Sequence, residues 1–319
     1  MTQADVLCIG DLDVDMFIDV PAVPGPDQKV TGRNHGLRPG GMAANAAVAI
    51  ARFGLKSRLV AAIGDDSEGA FALREIERDA VDLRYLIHLP DTATFMCLVL
   101  LSPSGEKSLI RLGTPAYLPD AAQLDEQAFL EVRHLHLTYG SPVLSHHALR
   151  LARRHGLSTS LDLEAADVTG DAGALRSVLA LVDTLFLNEA AHAAAAQVMG
   201  VLDVSQLREG GEMIVTSGGD GCRRITAGGT MRRPAFSMEP VDTTGAGDCF
   251  SGSYIACRLA DMSAPDSLEY ASAAAALATL DRGAQAAMPR RAEVDRFLNR
   301  HRRGSATNPG ADVDGEQHV

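Results

Sequence analysis

Short runs of valine, leucine and isoleucine alternate along the chain with stretches patterned for helices. Residues 5–10 read as a first strand, 42–53 as a helix, 58–63 as a strand and 67–79 as a helix. A strand at 132–138, a helix at 143–155 and a strand at 158–163 continue the pattern. A helix at 174–182, a buried strand at 184–187 and a strand at 212–216 follow. Alternation of this kind predicts an α/β fold with a mostly parallel sheet and helices on both faces. The last third turns helical over 245–260, 264–280 and 292–303. No internal repeat is visible.

Two regions interrupt the alternation. Residues 16–38 and 94–111 hold strand-like pieces with no helix between them. Pro21, Pro24, Gly25 and Pro26 punctuate the first, and Pro103, Ser104 and Gly105 turn the second. Both are expected to be antiparallel excursions that form a small sheet outside the main body; the alternative is a pair of long loops. Residues 304–319 have no apolar face to bury and are expected to form a disordered tail.

Lys plus Arg number 29 against 41 Asp plus Glu, a net charge of −12, which argues against general binding of nucleic acid or anionic membranes. A local site for a small anion stays open. The five cysteines are odd in number and contain no CxxC pair, so neither a disulfide framework nor a zinc ribbon is suggested. They are expected to be buried thiols of a cytoplasmic protein. The first residues lack a basic leader, and no run of 18 apolar residues occurs, so no membrane span is expected.

The strongest local chemistry is Asp242-Thr-Thr-Gly-Ala-Gly-Asp248 followed by an apolar helix pattern. Gly245 and Gly247 allow a tight turn and close approach of a ligand, and the free N–H groups of a starting helix face the same point. A carboxylate beside a bound phosphate repels it, unless Asp248 takes a proton from an attacking hydroxyl while the N–H groups hold the moving phosphoryl group. The alternative is an Asp favoured simply by a helix N-terminus.

Three further segments carry candidate chemistry. Gly40-Gly41 open a helix of small residues with Asn45 one turn in, suited to a sugar hydroxyl or to a tightly packed corner. Asp11, Asp13 and Asp15 follow a strand end at every second residue, so they share one side if the segment stays extended. They suit hydroxyls, a divalent metal or a solvated turn. Thr216-Ser-Gly218-Gly-Asp-Gly221 follows a strand and could cover nucleotide phosphates or form a bare turn; no GxxxxGK[ST] motif is present. His134 and His136 share a strand face without a third ligand at zinc spacing, and His146-His147 read as a solvated helix face.

Taken together, these pieces resemble the ribokinase (PfkB) family of carbohydrate kinases over residues 5–303. The Gly40-Gly41…Asn45 segment is followed by Ala51-Arg-Phe-Gly54 and Ile63-Gly-Asp-Asp66…Gly69, then by the Asp242–Asp248 motif and Arg282-Gly-Ala-Gln285, in matching order and spacing. The resemblance implies a Rossmann-like three-layer core over residues 1–303 with a small β-sheet lid formed by the two excursions. It implies ATP-dependent phosphorylation of a hydroxymethyl group on a sugar or nucleoside, with Mg2+. Asp248 then matches the catalytic base, and Gly245, Ala246 and Gly247 the anion hole. Asp15, Gly41 and Asn45 match sugar-binding positions beside Gly40, with Asp13 where many members carry Asn. Asn188, Thr216, Gly218, Gly221 and Ser272 match the nucleotide side. Asp242 and Thr244 fall near a site for K+ in some members, and the lid implies a homodimer clasp.

Two departures stand out. The family's Asn-x-x-Glu motif reads Asn188-Glu-Ala-Ala191 here, so its Glu is missing. Glu189 lies two residues earlier on the same predicted helix and points roughly 200° away from Ala191. Asp162 and Glu164 end a predicted parallel strand, at the edge where α/β ligand sites form, and are expected to supply an outer-shell carboxylate for Mg2+; the alternative is a pair of solvated residues. The second departure is Leu137-Thr-Tyr-Gly140, which stands where ribokinase proper has a sugar-contacting Glu, so ribose is not assigned. The rivals to a sugar kinase are a nucleoside kinase and a non-catalytic sugar-binding regulator on the same scaffold.

Overall fold

The computed structural model describes residues 4–103 and 107–306. The chain begins with β1 (Val6–Ile9), β2 (Asp13–Asp19) and β3 (Arg33–Gly40), then α1 (Met42–Arg52), β4 (Ser57–Val60), β5 (Ala62–Gly64) and α2 (Ser67–Ile76). Next come β6 (Ile87–Leu89), β7 (Met96–Leu101), β8 (Lys107–Leu112), β9 (His134–Thr138), α3 (Pro142–Arg154) and β10 (Ser158–Leu163). They are followed by α4 (Ala172–Leu179), β11 (Thr184–Asn188), α5 (Glu189–Met199), β12 (Glu212–Thr216), β13 (Cys222–Thr226) and β14 (Gly229–Arg233). The chain closes with α6 (Ala246–Leu259), α7 (Ala264–Ala278), α8 (Ala284–Ala287) and α9 (Arg291–Ala306).

The main sheet has the order β14-β13-β12-β11-β10-β9-β1-β4. Its strands are parallel from β4 to β12, and β13 and β14 add an antiparallel hairpin. Apolar side chains fill both faces: α1, α6 and α7 cover one, and α3, α4 and α5 the other. Central strands buried on both faces read as continuous apolar runs, which is why the sequence marks them clearly. All five cysteines are free and buried. No helix among the described residues is long and apolar enough to cross a membrane.

Several boundaries differ from the sequence expectation. The strand expected over 58–63 breaks at Ala61: β4 stays in the main sheet, while β5 leaves it to pair with β6. Every residue from Ser57 to Gly64 is buried, so hydrophobicity carries no mark of the break. The two excursions make one four-stranded sheet, β3-β2-β7-β8, but only its outer pairs are antiparallel; the central pair β2–β7 is parallel. That sheet also starts earlier than residue 16, at Asp13, directly beside the main sheet edge. The turn expected at Ser104-Gly105 lies outside the described residues. Helix α9 runs through Ala306, three residues into the stretch expected to be disordered, and the rest of that stretch lies outside the described residues.

His134 and His136 belong to the core. His134 bonds Ser158 and Ser160 at 2.7 and 2.8 Å, and His136 bonds Ser160 at 2.8 Å. Burial holds both imidazoles neutral, His134 at a pKa of about 4 and His136 at about 3.

Candidate active site

A cavity of about 620 Å³ opens between the C-terminal edge of the main sheet and the four-stranded sheet. Two helix starts point into it. At the first, Gly41 adopts φ +94°, and a Cβ there would lie 2.6 Å from the Asp11 carbonyl oxygen. Asp11 fixes this corner by accepting from Ala43 N at 3.1 Å and from Thr138 Oγ1 at 3.4 Å. At the second, Gly245 adopts φ +74°, and a Cβ would lie 2.5 Å from Ala284 Cβ, so only glycine fits. No side chain caps the start of α6, which leaves its first turn available to an anion.

Asp248 stands in that first turn and is buried. Its Oδ2 accepts from Asn45 Nδ2 at 2.8 Å, linking the two helix starts. Burial first, and the Asp162 carboxylate second, push Asp248 well above the usual carboxylate range, against the pull of Asn45. Asp162 is itself raised to about 7, by burial and then by Glu164.

On the four-stranded sheet, Asp13 and Asp15 sit on one face of β2 and converge over Gly40. A Cβ on Gly40 would lie 2.2 Å from Asp13 Oδ1 and 2.9 Å from Asp15 Oδ2, so the missing side chain makes their room. Both carboxylates are buried, and burial raises both. Asp11 lines the same cavity and also braces the α1 corner.

Asp13, Asp15, Gly41, Asn45, Gly245, Ala246, Gly247 and Asp248 all line the cavity, together with Asn188, Thr216, Gly218, Gly221 and Ser272. Thr244 and Glu164 also face it. Gly40, Asp162 and Asp242 stand outside the described lining. Asp242 ties loops together instead. Its Oδ1 accepts from Thr244 N and Oγ1 at 2.9 and 2.6 Å, and its Oδ2 accepts from Gly283 N at 2.9 Å. Burial pushes this carboxyl up, but those hydrogen bonds outweigh it and hold it low.

Ala191 is buried, with its N–H donating to Asn188 Oδ1 at 2.8 Å. Glu189 is held elsewhere, by Ser217 Oγ at 2.6 Å and by Arg223 Nη2 at 2.9 Å. At the end of β9, Gly140 lies under Leu118 and Tyr117, which occupy the space a side chain there would need.

Sequence reading missed the cations. Lys107 and Arg111 reach the cavity from β8. Lys107 Nζ lies 3.3 Å from Thr244 Oγ1, bridging the two sheets' elements at the start of α6. Arg111 pairs with Asp167 at 2.8 Å and Glu164 at 3.3 Å and stacks over Tyr117. The alternation Lys107, Leu109, Arg111 was the available signal for one shared face.

Residues 3–291 match the pfkB family carbohydrate kinase description. The ATP-dependent ribose-1-phosphate kinase of Halopiger xanaduensis is 30% identical over 299 residues, covering 92% of this chain and 98% of its own. The ribokinase of Haemophilus influenzae is 26% identical over 301 residues, covering 91% and 97%. A structure from E. coli, assigned as a ribokinase II and solved with ATP and Mg2+, superposes with a TM-score of 0.78 at 26% identity, covering 93% of this chain and 100% of its own.

Proposed function

This chain belongs to the pfkB family of carbohydrate kinases, and on that premise we propose that it transfers the terminal phosphoryl group of ATP to a hydroxymethyl oxygen of a small sugar or sugar derivative, with Asp248 as general base. One observation carries the reading. A buried carboxylate, bonded to Asn45, stands in the uncapped first turn of α6 and faces a cavity that reaches both sheets.

In this reading the work divides as follows. Asp13, Asp15 and Asn45 hold the sugar, the two carboxylates being seated over Gly40. Asp248 accepts the proton of the attacking hydroxyl. The N–H groups around Gly245, Ala246 and Gly247 stabilise charge on the moving phosphoryl oxygens. Thr216, Gly218, Gly221, Ser272 and Asn188 surround the nucleotide. The four-stranded sheet acts as a lid that excludes water.

Mg2+ fits the acidic groups here: Glu164 lines the cavity, and the charge of Asp162 acts on Asp248. Bound Mg2+ would neutralise phosphate charge during transfer. K+ fits less well, because the oxygens of Asp242 and the hydroxyl of Thr244 are committed to each other and to Gly283. The outer strand of the lid exposes Ile110 and Leu112 on the face opposite Lys107, Leu109 and Arg111, and a second copy of the chain is the occupant we assign to that face.

ADP release from MgATP across ribose, ribose 1-phosphate, fructose, keto-deoxy acids and nucleosides tests the reading. Turnover with a sugar or sugar phosphate is expected. Turnover confined to nucleosides would move the acceptor class, and binding without turnover would make the chain a sugar-responsive regulator.

A further inference from the structure

Asp13 and Asp15 present an electrostatic problem that the sugar-binding assignment leaves open. Their side chains are 4% and 7% exposed for the whole residue, so water screens neither. Together with the Cys97 thiol, they each bring one polar atom within 4.8 Å of the others. The Cys97 Sγ approaches Asp13 Oδ2 at 3.9 Å, and a buried thiol is a weak donor. Asp13 Oδ1 has no partner among the described residues although it is fully buried. Asn45 Oδ1, in the same cavity, is also without one. A buried carboxylate oxygen that receives no donor is poorly stabilised as part of a full anion.

Among the described residues no cation bonds either carboxylate, although the charge of Lys107 acts on Asp15 and that of Arg111 on Asp13. From the preceding loop comes Asp11, from α6 comes Asp248, and from the loop before α6 comes Asp242; all three add negative charge. Across the ladder from Asp15 on β3 is Arg38, but its stem runs beside Gly283 and its Nη1 donates to Leu37 O. From β8, Arg111 is engaged by Asp167 and Glu164, and Lys107 reaches Thr244. Two carboxylates converging over one glycine, buried and without a bonded cation, cannot both keep a full charge at little cost.

We propose that Asp13 and Asp15 hold one proton between them and meet the substrate as a mixed pair, one oxygen donating and the others accepting. Such a pair suits two neighbouring hydroxyls, each of which both donates and accepts. An Asn at position 13 would have the same donor and acceptor capacity at every pH. The acid has it only while the proton stays. Burial supports retention near neutrality: it pushes Asp15 up to about 7, against the nearby Lys107 charge, and together with the Asp15 carboxylate it holds Asp13 well above the usual carboxylate range. The proposal rests on the sugar-kinase reading for its ligand, but not for its proton.

The experiment therefore has a ligand-free arm and a ligand arm. In the first, the whole protein carries 13C at its aspartate carboxyl carbons and is titrated by NMR, with Asp13→Asn and Asp15→Asn spectra to assign the pair. One proton retained by the pair at pH 7 is the expected result; two ionised carboxylates would overturn the proposal. In the second, ribose, fructose and ribose 1-phosphate are titrated calorimetrically against wild type and Asp13→Asn. Wild-type affinity should fall ~10-fold per pH unit above the pair's upper step, as for loss of one linked proton. Asp13→Asn should be flat over the same range. Parallel pH profiles in the two proteins would overturn the donor role. Should the variant not fold, wild-type heats in two buffers of different ionisation enthalpy report the same proton uptake directly. Absence of binding by all three probes would count against the sugar reading, while the NMR arm still decides the proton.

Discussion

Asn45 Nδ2 donates to Asp248 Oδ2 at 2.8 Å, joining residues 203 positions apart in sequence. The bond aims the carboxylate from one helix start toward the other and offsets part of the burial penalty on its charge. Replacing Asp248 by Asn keeps the shape and removes the proton acceptor. The expected fall in kcat is ~10²–10⁴-fold, the usual contribution of general base catalysis. Sugar affinity should change little. Asn45→Ala leaves the base in place, so its kcat should fall less than that of Asp248→Asn. Near-normal kcat in folded Asp248→Asn would remove Asp248 from the mechanism.

Strand β8 reaches the start of α6 through Lys107, whose Nζ donates to Thr244 Oγ1 at 3.3 Å. A cation at the start of α6 adds to the field of the helix N-terminus where phosphoryl charge develops. Lys107→Met keeps most of the stem and removes the charge. Loss of one charge-assisted hydrogen bond, ~1.5–3 kcal/mol, corresponds to a drop in kcat of roughly 10- to 150-fold. Steady-state kinetics at saturating MgATP provide the check, with a higher sugar KM and unchanged kcat showing that Lys107 only shapes the pocket.

How legible this site was from sequence depended on the range of the cause. The Asp242–Asp248 motif is local: glycines, small residues and a carboxylate sit within one turn, so position implies geometry. Gly40, Gly41 and Asn45 are similar. Lys107 and Arg111 gain their role only because β7 pairs parallel to β2 and carries β8 beside it, a long-range fact that alternation alone does not contain. The hairpin of β13 and β14 reads as polar, with Arg223, Arg224, Arg232 and Arg233. It becomes sheet because β12 offers it an edge and Glu212 and Glu189 pair with its arginines. The break at Ala61 is silent because burial continues through it.

Gly245 shows how tightly the α6 start is built. Ala there would have to adopt φ +74° and would bring its Cβ to 2.5 Å from Ala284 Cβ. The left-handed conformation alone costs ~1–2 kcal/mol. Gly245→Ala should therefore lower Tm by several degrees, at ~2–4 °C per kcal/mol for a chain of comparable size, and lower kcat as well. A wild-type Tm by calorimetry would contradict the crowding.

The buried histidines give acid lability. Unfolded, each binds a proton below its ordinary pKa of 6.5; folded, His134 waits until about 4 and His136 until about 3. The unfolded state binds more protons in this window, so stability is present above pH 6.5 and declines as pH falls toward the folded values. Asp15 and Asp162, raised to about 7, contribute with the opposite sign in part of the same range. Comparison with a His134→Gln/His136→Gln variant isolates the imidazoles. Urea midpoints between pH 7.5 and 5 should fall more steeply in wild type, and parallel curves would refute this origin.

The last prediction concerns the carboxylate that Ala191 does not provide. Ala191 is buried and Glu189 is drawn off by Ser217 and Arg223, so α5 supplies no acid to the phosphates. The end of β10 brings two acids to the same region: Glu164 lines the cavity, and the charge of Asp162 acts on Asp248. Glu164 is shared with Arg111 at 3.3 Å, a long, half-exposed pair that a divalent ion could compete for. If these residues organise the metal's outer shell, Asp162→Asn or Glu164→Gln should need more free Mg2+ to reach half-maximal rate at saturating MgATP. Loss of one charged hydrogen bond, ~1.5–3 kcal/mol, sets the shift at roughly 10- to 150-fold. Glu164→Gln also frees Arg111 from one partner, so a shift seen only there, and absent in Asp162→Asn, would point to the lid contact instead. Unchanged Mg2+ dependence and turnover in both variants would mean that the metal is held by nucleotide and water without an acid from this edge.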